Sequence, residues 1–104
     1  MSENGPVPDR RAVAARWHRL IRGEISRDDA HRWAKPWVED RFDEVADPLV
    51  SQALTRLHGF DMIYTDPERK RVRHGGDGSH VHPDAAVAST FDQWQQRCRE
   101  APSV

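Results

Sequence analysis

Gly59-Phe60-Asp61-Met62-Ile63-Tyr64-Thr65-Asp66-Pro67 is the stretch on which the fold turns. Ahead of it, apolar residues recur at helical spacing. Behind it lies a polar, glycine- and histidine-rich segment, and then one more helical pattern begins. The apolar run at 60–65 is too short for its period to be read, so it is either a strand or a single helical turn. Its residues sort by chemistry. Phe60 and Ile63 belong inside; Asp61 and Tyr64 belong outside, where an acid and a tyrosine would form a contact surface.

Just upstream, Asp47-Pro48 opens a helix, with an acid at the cap and a proline where the missing N–H is no loss. Leu49, Val50, Ala53, Leu54 and Leu57 follow at helical spacing up to Gly59, which makes this the most buried element. Before it runs Glu39-Asp40-Arg41-Phe42-Asp43-Glu44-Val45-Ala46-Asp47, the most acidic part of the chain. Such a stretch is either a solvated connector or the electrostatic footprint for a basic partner. Farther back, Ser26 caps a helix whose first turn holds Asp28 and Asp29, at the positive end of the dipole. Ala30, Trp33, Ala34, Trp37 and Val38 form its apolar stripe, and Pro36 within that stripe predicts a kink or an early end. The first helix runs from a cap at Asp9 to about Arg22, with Gly23 as its stop. Val13, Trp17, Leu20 and Ile21 make one face of it, and arginines take the other. Residues 1–8 read as a loose arm.

Downstream, Asp66-Pro67-Glu68-Arg69 reads as a turn. Arg69, Lys70, Arg71 and Arg73 then form a basic cluster, the one local feature that suits an anion or a nucleic acid. The glycine-rich segment 74–83 lacks the Gly-Lys-Ser/Thr ending of a phosphate loop. His74, His80 and His82, with Asp77 nearby, lack the two spaced ligand pairs of a zinc signature, so no metal or cofactor is assigned. Pro83-Asp84 opens the last helix, where Val87, Phe91, Trp94 and Cys98 fall on one stripe. Cys98 is read as a small buried residue. The tail 101–104 should fray.

The whole chain has 104 residues, enough for one core. The reading is of a mainly all-α domain over 9–100, resembling a small four-helix bundle, with a short turn or strand at 60–65 and a long polar loop at 66–83. Sixteen basic residues against seventeen acidic ones leave a net charge of −1, which disfavours a generic nucleic-acid binder. A single cysteine suits a reducing compartment, and no apolar run reaches membrane-spanning length, so a soluble cytoplasmic protein is expected. No enzyme is expected. There is no nucleotide fingerprint and no nucleophile elbow, and the spacing of His58 and Asp61 does not by itself make an acid–base pair.

Asp61-Met62-Ile63-Tyr64-Thr65-Asp66-Pro67, followed by Pro83-Asp84, Val87 and Trp94, resembles the signature of the colicin and pyocin DNase immunity proteins. Ser26-Arg27-Asp28-Asp29 is similar to the acidic start of that family's second helix. The resemblance implies a four-helix bundle that binds a cognate nuclease toxin beside its active site and keeps DNA out. It also implies a short helical turn at Asp61–Tyr64 that carries shared binding energy. Thr65 stands where the family often has a second binding tyrosine, and the helix from Asp47 to Leu57 is additional. Gly23-Glu24-Ile25-Ser26, Trp33-Ala34 and Trp37-Val38 also look like a group of small bacterial proteins suspected to be immunity factors. The partner-binding residues expected on this basis are Asp61 and Tyr64 as anchors. Asp28, Asp29, Glu39, Asp40, Asp43 and Glu44 would supply steering charge toward a basic toxin. A small nucleic-acid-binding or regulatory protein using the 69–73 cluster is the alternative.

Overall fold

Four helices and a two-stranded hairpin make up the fold; the computed structural model describes residues 7–76 and 78–101. In chain order these are α1 (Arg10–Ile21), α2 (Arg27–Lys35), α3 (Pro48–Gly59), β1 (Met62–Tyr64), β2 (Val72–His74) and α4 (Asp84–Glu100). The mainly helical expectation holds. Most of the arm read at 1–8 and of the tail read at 101–104 lies outside the described residues.

The helix starts follow the sequence signals. Asp9 accepts from the Ala12 amide, and Ser26 and Asp29 form a reciprocal capping box. Asp47 accepts from the Leu49 amide ahead of Pro48. Pro36 ends α2 at Lys35 because its ring nitrogen has no hydrogen to give. The chain winds on as a wider π-helical turn over Pro36–Asp40, closed by the Arg41 amide donating to the Pro36 carbonyl at 2.8 Å.

The core is built around Trp17. Its ring lies 5.2 Å from Phe91, 5.5 Å from Phe60 and 5.8 Å from Trp94, all in tilted arrangements that suit aromatic quadrupoles. Each buried indole N–H needs an acceptor. Trp17 donates to the Val87 carbonyl at 3.0 Å and Trp94 donates to the Leu49 carbonyl at 2.7 Å, which ties α1 to α4 and α4 to α3. Val50, Ala53, Leu54 and Leu57 bury the inner face of α3, as their spacing predicts. Trp37 is buried, whereas Trp33 is only partly so, with the Arg16 guanidinium over its ring. Cys98 is likewise only partly covered at the core edge, and Ile21, expected on the apolar face of α1, is exposed.

The stretch after Gly59 is a strand. Met62, Ile63 and Tyr64 pair antiparallel with His74, Arg73 and Val72. The other edge of β1 is used as well, by Tyr64 N–H to Ser79 O at 2.9 Å and Val81 N–H to Met62 O at 3.0 Å. The helical turn implied by the family resemblance is therefore absent at 62–64. The segment read as one long polar loop supplies partners to both sides of β1, and this satisfies a backbone that a single short turn would have left bare. Gly78 makes the return possible. A Cβ there would sit 2.8 Å from the Tyr64 carbonyl oxygen, and its φ of +151° disfavours any other residue.

Candidate functional site: a histidine corner and an acidic edge

Phe60 and Ile63 point inward as expected, but Asp61 does too. Only 4 % of its surface is exposed, against the expectation that it faces outward. The cause is its company. His74 Nδ1–H donates to Asp61 Oδ1 at 2.6 Å, and His31 Nδ1 lies 3.4 Å from the same oxygen. A buried carboxylate is tolerated when donors surround it.

His31 comes from α2, His58 from the last turn of α3 and His74 from the end of β2. Their ring centroids are 4.5 Å apart for His31–His58, 4.5 Å for His31–His74 and 4.8 Å for His58–His74. One nitrogen of every ring is already committed. His31 Nδ1 meets the His58 backbone carbonyl at 2.8 Å, and His58 Nε2 meets Glu39 Oε2 at 2.7 Å. Each of these acceptors lacks a proton, so the facing ring nitrogen is the one that carries it. The bond from His58 holds the Glu39 carboxyl below its ordinary pKa. The His58–Asp61 pair that adjacency suggests does not form: Asp61 binds His74 and His31, and His58 binds Glu39.

Among the described residues, one nitrogen from each of His31, His58 and His74 lies within 4.8 Å of the others. His80 and His82 are not part of this group. His80 lines a neighbouring cleft, and His82 sits edge-on to Phe60, where burial pushes its pKa down.

No protein family, curated protein or solved structure matches this chain.

The cleft beside Asp61 encloses about 550 Å³ between the end of α1, the start of α2 and the loop after β2. Arg27 organises its floor. The guanidinium donates to the carbonyls of Phe60 (2.9 Å) and His82 and to the Asp84 carboxylate (2.7 Å), so it joins α2 to the end of α3, the loop before α4 and α4 itself. Sequence reading passed over Arg27 as one charge in a capping segment. Its three acceptors are 33 to 57 residues away, and no local spacing shows them.

The remaining expected contact residues divide. Asp28 and Asp29 both pair with Arg32, and Glu44 pairs with Arg41, which also stacks 4.1 Å over Trp37. Tyr64 is half-buried on β1, with the Arg69 guanidinium 5.4 Å from its ring centre. Asp40 and Asp43 carry no ion pair among the described residues, and between them Phe42 is 65 % exposed. The six acids do not converge. Asp28 and Asp29 start α2, whereas Glu39, Asp40, Asp43 and Glu44 cluster beyond its end, roughly 15 Å along the helix at 1.5 Å per residue.

Proposed function

We propose that this protein is a protein-binding module that neutralises a bacterial toxin, a nuclease on the family resemblance, by laying its acidic edge at 39–44 on the toxin's basic surface. The observation that carries this reading is Phe42. On a short 3-10 turn over Phe42–Glu44, a large apolar side chain stands in solvent between Asp40 and Asp43, two carboxylates with no ion pair among the described residues, and the Arg41–Glu44 pair and the Arg41–Trp37 stack hold the turn. A central aromatic with a charged rim is the usual anatomy of a binding hot spot. Unpaired acids attract a cationic nuclease and speed encounter, and the aromatic supplies the contact that holds.

On this reading the anchor is Phe42, and not Asp61 or Tyr64, which the sequence offered. The test is capture of the product of the adjacent upstream gene by the full chain, followed by a nuclease assay of the captured protein. Phe42→Ala combined with Asp40→Asn and Asp43→Asn should weaken capture and inhibition by 100-fold or more, on the order of 3 kcal/mol. Undiminished inhibition by the triple variant would remove this surface.

The second reading rests on the hairpin. Arg69, Lys70 and Arg71 sit exposed at its tip, with Arg73 exposed on β2. If that cluster binds nucleic acid, affinity should fall steeply with salt, and no binding at low salt dismisses it.

A further inference from the structure

We propose that His31, His58 and His74 bind one divalent transition-metal ion, with Zn2+ the best match, and that the ion fastens the β hairpin to α2 and α3. Three imidazoles are borderline-soft nitrogen donors, which select Zn2+ and its first-row neighbours over Mg2+ or Ca2+. The geometry is near a binding geometry already. One nitrogen per ring falls within 4.8 Å of the others. Tetrahedral ligands at Zn–N bonds of about 2.0 Å stand roughly 3.3 Å apart, so the three rings draw closer on loading.

The stronger argument lies behind the rings. A metal-bound histidine commonly gives its second N–H to a carboxylate or a backbone carbonyl, which fixes tautomer and orientation. All three rings have such a partner here: the His58 carbonyl for His31, Glu39 for His58 and Asp61 for His74. These bonds leave one nitrogen of each ring uncommitted, Nε2 of His31, Nδ1 of His58 and Nε2 of His74, and a cation would take these once the rings turn toward it. Those of His31 and His58 reach solvent, because no fully buried side-chain nitrogen of a covered residue lacks a partner among the described residues, and His74 is itself exposed. The Asp61 carboxylate behind His74 and the Glu39 carboxylate behind His58 raise the basicity of those rings toward a cation. His74 is 40 % exposed, so an ion can enter from the hairpin side. Loading would join three elements that otherwise meet here through hydrogen bonds, and β2, which is exposed along its length, gains most.

The Asp40–Phe42–Asp43 group takes no part in this site, which meets the acidic edge at Glu39, the partner of His58. The experiment is calorimetric titration of the chelator-treated full chain with Zn2+, alongside thermal melts. The expected result is one Zn2+ per chain and a melting point raised by roughly 10 °C at a hundredfold excess over Kd, with no such rise for Mg2+. His74→Ala should bind at least 100-fold more weakly, whereas His80→Ala/His82→Ala should bind as the parent does. In the unmodified protein, Zn2+ should move the imidazole 15N resonances of His31, His58 and His74 and leave those of His18, His80 and His82 in place, a readout that needs no variant to fold. Absence of stoichiometric binding, binding retained in His74→Ala, or shifts confined to His80 and His82 overturns the proposal.

Discussion

The tryptophan core and the histidine corner are both clusters of rings, and they are finished differently. Trp17 sits 5.2–5.8 Å from three aromatic neighbours, and the three imidazoles sit 4.5–4.8 Å from one another. In the core, the Trp17 and Trp94 indoles each have a single N–H and spend it on a backbone carbonyl, so neither has one left over. In the corner, each imidazole has two nitrogens and the fold uses one. The core is complete in itself; the corner keeps one uncommitted nitrogen on each of three adjoining rings. That difference separates a device for stability from a candidate for chemistry.

The comparison breaks most visibly at Trp17. Trp17→Ala removes the hub of the aromatic cluster and the indole bond that ties α1 to the Val87 carbonyl of α4. The expected loss is about 3–5 kcal/mol, read from urea denaturation midpoints. A loss under about 1 kcal/mol would mean that Trp17 is not the hub. Next in size is Asp61→Ala. It strips the corner of the oxygen that His74 and His31 share, and the expected loss is about 1–3 kcal/mol. The damage should be local. Amide exchange should quicken at Ile63 and Arg73 in the hairpin and stay unchanged at Leu54 in α3. Equal acceleration at both places would show that corner and core are one cooperative unit.

The two regions were unequally legible. Val13, Trp17, Leu54, Leu57, Val87, Phe91 and Trp94 declare themselves by helical spacing, because burial of one helix face imposes a period on the sequence. Asp9, Ser26 and Asp47 declare the helix starts because a cap bonds within three residues. The corner has no period. His31, His58 and His74 lie 27 and 16 residues apart in the chain. Only the packing of α2 on α3 and the return of β2 bring them together. Asp61 was misplaced for the same reason: an acid next to an apolar run is expected to face water unless donors are known to wait inside. The strand at Met62–Tyr64 was undecidable alone, since its identity comes from Val72–His74 and Ser79–Val81 on either side.

A smaller effect sharpens the contrast through pH. Asp47 caps α3 and takes a two-pronged bond from Arg10 at 2.7 and 3.3 Å, which holds its carboxyl below the ordinary carboxylate range. A depressed carboxyl pKa in the folded state means that protons prefer the unfolded chain. The contribution is therefore whole above the unfolded value of about 3.9 and fades as pH falls through the lowered folded value. Asp47→Asn should cost about 1 kcal/mol at pH 7. The gap to the parent should narrow as pH falls below the ordinary carboxylate range. A gap that persists unchanged to pH 2 would assign the effect to shape and not to charge.

The smallest stability effect is expected at Phe42, and its smallness is the point. Phe42 is held out in water, so Phe42→Ala removes almost no buried surface, and the urea midpoint should move by no more than about 0.5 kcal/mol. The Arg41–Glu44 pair and the Arg41–Trp37 stack do not involve the Phe42 side chain, so the turn beneath it should keep its geometry. Phe42 thus resembles the spare nitrogens of the histidine corner: apolar surface that the fold has not used, as those are donor atoms it has not used. If Phe42→Ala destabilises the free protein by 2 kcal/mol or more, the ring has an intramolecular role and the acidic edge loses its aromatic anchor. If stability holds while toxin capture falls, the residue's function lies outside its own chain.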